Sequence, residues 1–162
     1  MHCTHEFGAF YRPDSELLIL GSFPSVKSRE EAFYYAHPQN RFWRVLAACF
    51  GEAVPLTLLE KQDLLIRNRV ALWDVIESCD IEGSSDASIR NAVPTDICAL
   101  ISNAPIRRVV LNGKTAERLF MRHHKDFPFP TVTMPSTSPA NAAWSLERLA
   151  GEWKRAVCEK NI

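Results

Sequence analysis

The chain has 162 residues, 46% of them hydrophobic, which is enough to close one core but too short for two independent domains. Nineteen basic residues balance nineteen acidic ones, so a nucleic-acid partner would have to bind to a local patch of positive charge. The first ten residues lack the pattern of a signal peptide, and no apolar run is long enough to span a bilayer. We therefore expect a single domain over residues 1–162, cytoplasmic and without a membrane partner.

Four short runs of apolar and β-branched residues predict buried strands. They cover residues 17–20, 70–75, 108–111 and 131–134. Helical patterns separate these runs, so strands alternate with helices along the chain. Such alternation is typical of βαβ units and predicts an α/β fold in which helices cover both faces of a mainly parallel sheet.

The helix boundaries are predicted from capping residues. Apolar residues recur from Phe42 at helical spacing, and the pattern stops at Gly51. Thr57 and Glu60 have the spacing of a capping box, and Thr95 is expected to cap a third helix. Two further apolar stripes predict a short helix around residues 116–120 and a last one over 146–157, whereas the serine-rich residues 83–88 are expected to form an exposed loop.

The loops after the strands are the segments most relevant to function, because ligands of such sheets bind beyond the carboxyl ends of the strands. The first strand is followed by Gly21-Ser22-Phe23-Pro24-Ser25, the third by Asn112-Gly113-Lys114-Thr115, and the fourth by Pro135-Ser136-Thr137-Ser138-Pro139-Ala140-Asn141. The second of these loops lacks the first glycine of a nucleoside-triphosphate phosphate loop, since Arg108 stands five residues before Gly113. A nucleoside-triphosphate site is therefore excluded.

Residues 33–43 contain five aromatic side chains, a histidine, two amides and a cation. Phe42 and Trp43 begin a helix and are expected to enter the core. Tyr35 is a candidate for stacking against a planar base, an interaction worth about 1–3 kcal/mol. The candidates for the local positive patch that the neutral net charge would require are Lys27, Arg29, Arg41 and Arg44.

The loop at residues 135–141 alternates hydroxyl side chains with two prolines. A stiff backbone that leaves donors available suits a segment that grips phosphates and pushes against a duplex. The alternative is an ordinary capped turn before the last helix.

The five cysteines give no sign of a shared structural role. They are Cys3, Cys49, Cys79, Cys98 and Cys158, far apart in the sequence and without a C-x-x-C pair. Their odd number argues against a complete disulfide framework, and no closely spaced pair begins a metal or iron–sulfur site. We expect free thiols, no metal and no cofactor.

Taken together, these segments resemble the uracil-DNA glycosylase superfamily over residues 17–157. Gly21-Ser22-Phe23-Pro24-Ser25 stands where the first motif of the superfamily is found, and Pro135-Ser136 resembles the start of the second. Residues 35–43, 111–114 and 145–149 resemble segments of the mismatch-specific uracil and thymine glycosylases. The resemblance implies a three-layer αβα domain, a four-stranded sheet with its strands in the order 2-1-3-4, and DNA as the partner.

One departure from the superfamily pattern indicates a subfamily. Where the uracil and mismatch enzymes carry an Asp or Asn that handles the attacking water, this chain has Phe23, which can neither orient nor deprotonate water. The sequence Gly-Ser-Phe-Pro-Ser resembles instead the hypoxanthine (deoxyinosine) DNA glycosylases, in which the asparagine matching Asn40 is the proposed catalytic residue. Ser25 replaces a tyrosine that blocks larger bases in uracil-specific enzymes, so a purine would fit.

The resemblance also implies roles for the remaining loop residues. Asn40 is expected to hold the water, with His37 and Asp74 as alternatives. The first motif has no lysine to form a Schiff base, so a monofunctional enzyme is expected. A monomer is expected for a glycosylase of this size. The expected base-binding residues are Gly21, Ser22, Phe23, Ser25, Tyr35 and Asn112. The expected DNA-binding residues are Lys114, Ser136, Thr137, Ser138, Pro139, Ala140 and Asn141.

Three other functions stay open from the sequence alone. The nearest is a mismatch-type uracil or thymine glycosylase with an altered first motif. A second is a DNA-binding relative that lost catalysis together with the first-motif acid. A third is a small α/β enzyme acting on free nucleosides, which the loop at residues 135–141 disfavours.

Overall fold

A computed structural model describes residues 1–158 and contains two β-sheets flanked by helices. The strands are β1 (His2–Thr4), β2 (Leu17–Gly21), β3 (Val70–Asp74), β4 (Ile76–Asp80), β5 (Arg90–Pro94), β6 (Arg108–Asn112) and β7 (Thr131–Met134). The helices are α1 (Val26–Glu31), α2 (Phe42–Phe50), α3 (Leu58–Arg67), α4 (Ile97–Ile101), α5 (Lys114–His123) and α6 (Leu146–Cys158), with a 3₁₀ turn at Asp86–Ser88.

The larger sheet is parallel throughout, with its strands in the order β3-β2-β6-β7. In the central strand, Leu17 pairs with Val70 on one side and with Arg108 on the other. The four strands correspond to the four predicted runs, and the predicted order 2-1-3-4 is confirmed. Their carboxyl ends therefore meet at one edge of the sheet.

Each face of this sheet has its own hydrophobic core. Because side chains alternate along a strand, Leu17 and Ile19 of β2 face one core, whereas Leu18 and Leu20 face the other. The first core is closed by side chains of α2, α3 and α6, including the fully buried Trp153. The second is closed by α4, α5 and the small sheet. The predicted three-layer αβα arrangement is confirmed.

The smaller sheet is antiparallel, has the order β1-β4-β5, and was not predicted. The run 70–75 was expected to be one strand, but β3 ends at Asp74 and the chain turns at Val75, whose N–H donates to the Gly21 carbonyl (2.8 Å). Pairing of β1 with β4 then carries the N-terminal segment across the end of β3. In this way His5 is brought next to Asp74, and its backbone N–H donates to the Glu77 carbonyl (2.6 Å).

Two of the three predicted helix boundaries are confirmed. Gly51 ends α2 in the left-handed conformation, and the Thr57 hydroxyl accepts from the Glu60 N–H (3.1 Å) at the start of α3. Thr95, in contrast, does not cap α4, because the Asp96 carboxylate accepts from the first turn instead. The buried Thr95 hydroxyl donates to the backbone carbonyls of Asp74 and Val75.

All five cysteines lie within residues 1–158 and are free thiols. None of the helices in that part of the chain is long and apolar enough to cross a bilayer. Across the same residues, His, Cys, Asp and Glu side chains form no group of three that could hold a metal ion.

Candidate active site

The carboxyl ends of β2, β3 and β6 open into a cavity of about 350 Å³, at the small end of the 300–1,000 Å³ range of ligand pockets. Three predicted loops meet there. They contribute residues 21–25, Asn112 and residues 136–140, while the aromatic segment adds Tyr35, His37 and Asn40. Asp74, Ser84 and Asp86 complete one wall. Lys114 and Asn141, which were expected to bind DNA, do not line the cavity.

Gly21 lies at the floor of the cavity, where there is no room for a side chain. A Cβ atom at this position would lie 2.5 Å from Asp74 Oδ1 and 3.1 Å from the Tyr35 hydroxyl. Both distances are shorter than ordinary van der Waals contact for a Cβ atom. Glycine is therefore required so that the carboxylate and the phenol can approach the end of β2.

The rest of the first motif forms the adjoining wall. The Ser22 hydroxyl donates to Asp86 Oδ1 (2.8 Å), and Phe23 is buried against the second core. The Ser25 hydroxyl accepts from the Ser28 N–H (3.2 Å) and thereby caps α1. The hydroxyls of Ser22 and Ser25 thus hold the wall together, and Phe23 gives it an apolar surface.

Tyr35 is held rigidly by its neighbours. Its ring stacks on Phe42, with centroids 4.0 Å apart and planes inclined by 19°, and its backbone has the left-handed φ of 53°. Burial, and then the charge of Asp74, raises the pKa of its phenol well above the ordinary value. Since Phe42 occupies one ring face, a base can stack only on the opposite face.

A hydrogen-bonded chain joins the two asparagines of the cavity through Thr137. The Thr137 hydroxyl donates to Asn40 Oδ1 (2.8 Å) and accepts from Asn112 Nδ2 (3.1 Å), while the Thr137 N–H donates to Asn112 Oδ1 (3.1 Å). Asn40 Oδ1 also accepts from the Phe42 N–H (2.9 Å). The oxygen of Asn40 is therefore doubly occupied, and its NH₂ group is the part of the carboxamide left to act on a ligand.

This arrangement gives Thr137 a different position from the one expected. Its side chain is completely buried, so it cannot touch a phosphate while the loop keeps this conformation. The exposed residues of the loop are Pro139 and Ala140, and the hydroxyls of Ser136 and Ser138 accept backbone N–H groups within the loop.

Arg41 braces the loop from beneath. Its guanidinium donates to the backbone carbonyls of Ser138 (3.1 Å), Asn141 (3.0 Å) and Trp144. The expectation that Arg41 contributes to a positive surface patch is therefore wrong. Its guanidinium instead fixes the conformation of residues 138–144.

Two features, one behind the cavity wall and one in it, were not predicted from the sequence. The first is His5, whose Nε2 lies 2.8 Å from Asp74 Oδ2 with both side chains almost completely buried. The second is the serine-rich segment, which is exposed over residues 83–87 as expected but also places Ser84 and Asp86 at the cavity wall. Desolvation raises the pKa of Asp86, and its hydrogen bond from Ser22 acts in the opposite direction. No spacing signal in the sequence connects either segment to the strand ends.

A comparison with known families places this cavity in context. The sequence model of the Uracil DNA glycosylase superfamily matches residues 9–160. The chain belongs to this superfamily.

Relatives within the superfamily cover almost the whole chain. A protein of Methanosarcina acetivorans named hypoxanthine DNA glycosylase is 34% identical over 150 residues, covering 91% of this chain and 94% of its own. A protein of the same name from Methanosarcina barkeri is 36% identical over 145 residues, covering 88% and 90%. A solution NMR structure from M. acetivorans, provisionally named a uracil DNA glycosylase, superposes with a TM-score of 0.81 at 33% identity, covering 93% of this chain and 94% of its own.

Membership of the uracil DNA glycosylase superfamily agrees with the position of the cavity. The resemblance identified from the three loops is confirmed, and those loops are the segments that surround the cavity. The chain is thus a DNA repair glycosylase whose cavity is lined by the apolar Phe23, by two amide side chains and by the Asp74 carboxylate.

Proposed function

We propose that this protein is a monofunctional DNA glycosylase that excises hypoxanthine from deoxyinosine and leaves an abasic site. The observation that carries the proposal is the amide network in a cavity that has Phe23 in place of a first-motif acid. Two relatives named hypoxanthine DNA glycosylase support the choice of base.

A flipped nucleotide would enter from the side of the exposed Pro139 and Ala140. The cost of flipping is smallest for a weakly paired base, and hypoxanthine is such a base. We assign the face of Tyr35 opposite Phe42 to stacking against the base. The Ser22 and Phe23 backbone and the remaining N–H of Asn112 would then face its polar edge.

Cleavage of the glycosidic bond leaves positive charge on the sugar and negative charge on the departing base. Asn40 would hold the water by donating from Nδ2 to the water oxygen, because its Oδ1 is occupied by Thr137 and Phe42. One lone pair of that water is then free to attack C1′ as the bond from C1′ to the base breaks. The water proton is released to solvent, and the departing base anion takes up a proton. A carboxamide orients water without acting as a strong base, so the stabilisation of the departing base carries most of the catalysis.

The DNA backbone would bind to protein surfaces on both sides of the cavity. Lys114, which begins α5 beside the cavity, is exposed, and so is Arg118 one turn later. Cations on one helix face can neutralise successive phosphates, and removing one such cation lowers the salt dependence of binding by about one ion. We propose this face of α5 as the surface that binds the DNA backbone and Pro139 as the residue that enters the space left by the base.

The test uses duplexes that carry deoxyinosine, uracil, xanthine or no lesion, followed by alkali cleavage of abasic sites. Hypoxanthine release is expected to be fastest, and the absence of product on every duplex would refute the glycosylase function. Preferential release of uracil opposite guanine would point to the mismatch-type enzymes instead.

The role of Asn40 is tested with Asn40→Ala. Loss of a positioned catalytic group costs about 10²–10⁴-fold in rate, so single-turnover hypoxanthine release should slow at least about 100-fold. Asn103→Ala is the matched control, because Asn103 is exposed just after α4 and, within the described residues, its side chain bonds only to the Ala99 carbonyl of that helix. Full activity of Asn40→Ala would assign the positioning of the water to His37 or Asp74 instead. A covalent protein–DNA adduct trapped with borohydride would exclude a monofunctional enzyme.

A further inference from the structure

Two cysteines, Cys3 and Cys79, lie side by side in the small sheet. They stand directly opposite each other where β1 pairs with β4, so their side chains point to the same face of that sheet. Both contact the second core, in which Cys79 is fully buried and Cys3 is half-buried. Opposite residues of antiparallel strands have Cα atoms about 4.5–5.5 Å apart, and a disulfide joins residues about 4.4–6.8 Å apart. The two strands therefore already have the spacing that a disulfide requires.

A positive charge lies against one of the two sulfur atoms. Arg29, in α1, donates from its guanidinium to Cys3 Sγ at 2.7 Å. Among residues 1–158 no other cysteine sulfur accepts a hydrogen bond from a charged side chain. Oxidants react with the thiolate form of cysteine, and reactive thiols are found in positively charged, partly exposed surroundings. Cys3 has such surroundings and is therefore the thiol expected to react first.

Cys79 has the properties of a second, resolving thiol. Burial, and then the neighbouring Cys3, raises the pKa of Cys79 to about 11. Cys79 therefore stays protonated at neutral pH, and its burial shields it from oxidants in solution. A sulfenic acid formed on Cys3 would lie beside this thiol, and redox-sensing cysteines often have such a partner.

A second pair of thiols, Cys49 and Cys158, is arranged differently. Cys158 Sγ donates to the backbone carbonyl of Cys49 at 3.1 Å. Burial, and then Cys158, raises the pKa of Cys49 to about 12. The fifth cysteine, Cys98, is exposed on α4. These three cysteines are internal references for the reactivity of Cys3.

Arg29 connects the first pair to the wall of the cavity. Its guanidinium also donates to the backbone carbonyl of Gly83 at 2.7 Å and lies over the Phe23 ring, 5.6 Å from the ring centroid. Phe23 and Ser84, the residue after Gly83, line the cavity. When Cys3 Sγ is bonded to the opposite cysteine it carries no charge and turns toward β4, so Arg29 loses one of its partners.

We propose that Cys3 and Cys79 form a thiol-oxidation site, at which a hydroperoxide converts the pair into a disulfide and, through Arg29, loosens the cavity wall. Formation of the disulfide does not depend on the proposed glycosylase function. The accompanying change in base release does rest on that function, so the two effects are measured separately. The disulfide should slow base release, because Arg29 then holds Phe23 and the Gly83 carbonyl less firmly.

The oxidation proceeds in two steps. The Cys3 thiolate attacks one oxygen of the peroxide, the O–O bond breaks, and the hydroxide or alkoxide that leaves takes up a proton. The sulfur of Cys79 then attacks the sulfenic sulfur of Cys3, so that an S–S bond forms and the S–O bond breaks. The departing hydroxide combines with the Cys79 proton to give water. The two thiols lose two electrons and two protons, and the peroxide is reduced to water, or to water and an alcohol.

Treatment of the wild-type chain with hydrogen peroxide, followed by peptide mapping, tests the site. Free thiols are alkylated before digestion without reductant, so that disulfide-linked peptides survive. The peptide that joins Cys3 to Cys79 should appear before a link between Cys49 and Cys158 and before oxidation of Cys98. A different order, or the absence of the peptide joining Cys3 to Cys79, would overturn the proposal.

Two substitutions test the individual side chains. Arg29→Gln removes the positive charge and should slow formation of the linked peptide about threefold to tenfold, the effect of one partly exposed charge. Arg155→Gln is the matched control, because Arg155 is exposed on α6, where it pairs with Glu152 on the other face of the large sheet, and its rate should equal that of the wild type. An unchanged rate in Arg29→Gln would exclude Arg29 from the site. Cys79→Ala should leave a sulfenic acid on Cys3 that dimedone traps, and the absence of this adduct would contradict attack by Cys3.

The effect on the cavity is measured as hypoxanthine release after catalase has removed the peroxide. The oxidised wild type should be slower by about threefold or more, because small displacements at an active site lower the rate, and a dithiol should restore it. Cys3→Ser should keep its untreated rate after the same exposure. A disulfide that forms without slowing base release would refute the coupling through Arg29. If the reduced wild type releases no base, the proposed function fails, and peptide mapping still decides whether the disulfide forms.

Discussion

The substitution Thr137→Val is expected to separate the role of the amide network from that of simple packing. Valine has nearly the shape of threonine but lacks the hydroxyl that donates to Asn40 (2.8 Å) and accepts from Asn112 (3.1 Å). The backbone bond from the Thr137 N–H to Asn112 stays in place. Asn40 keeps only its bond from the Phe42 N–H, so its carboxamide gains freedom to rotate.

The size of the effect follows from the two hydrogen bonds that the substitution removes. Each is worth about 0.5–1.5 kcal/mol net, so the free energy of unfolding should fall by about 1–3 kcal/mol. The rate of base release should fall as well, although the protein stays folded. A catalytic group displaced by about 1 Å can lower the rate by up to 100-fold. We expect single-turnover hypoxanthine release to slow about tenfold to 100-fold in Thr137→Val.

Urea unfolding followed by tryptophan fluorescence gives the stability, and alkali cleavage of a deoxyinosine duplex gives the rate. Thr57→Val is the matched control, because that hydroxyl caps α3 away from the cavity and its loss costs about 1 kcal/mol. The control should lose stability but keep the wild-type rate. A Thr137→Val enzyme that is destabilised yet releases hypoxanthine within about twofold of the wild-type rate would refute the positioning of Asn40 by Thr137.

Three single positions carry further predictions. Gly21→Ala would place a Cβ atom 2.5 Å from Asp74 Oδ1 and should slow base release about 100-fold in the same assay. Retained activity would show that Asp74 can move away to make room for the Cβ atom. Gly151 lies within α6, where the Cβ atom added by Gly151→Ala meets no atom within 4 Å among the described residues. Urea denaturation should show that the free energy of unfolding rises by about 0.5–1 kcal/mol, with unchanged activity. A fall in that free energy would contradict the open space at this position. Hydrogen bonds from Asn68, and then from Arg67, lower the pKa of Glu52. The contribution of Glu52 to the free energy of unfolding is therefore complete above the ordinary glutamate pKa and is lost as the pH falls through the lowered value. The difference in unfolding free energy between wild type and Glu52→Gln should therefore shrink in acid, and a difference independent of pH would rule this out.

Much of the fold was predictable from local patterns. The four apolar runs become the four parallel strands, and the cap signals at Gly51 and Thr57 mark real helix ends. These signals are local, because strand burial and helix capping depend on residues a few positions apart. Thr95 shows the limit of such signals, since its hydroxyl bonds to carbonyls about twenty residues earlier and the cap falls to Asp96.

The candidate site was predictable to the extent that it lies on the loops after the strands. Sequence patterns located the first motif, the aromatic segment and the loop at residues 135–141, all of which surround the cavity. The sequence could not show that Thr137 is buried between two asparagines or that Arg41 bonds to backbone carbonyls. Both facts depend on how two loops about 100 residues apart pack against each other.

By itself the sequence determined the α/β class, the order of the parallel strands through its resemblance, and the replacement of the first-motif acid by Phe23. Only the tertiary structure decided that His5 meets Asp74, 69 positions away, because antiparallel pairing of β1 with β4 carries the N-terminus across the end of β3. Neither a two-residue strand period nor a helical period can encode a contact of that separation. The contact between His5 and Asp74 is therefore a product of the small second sheet.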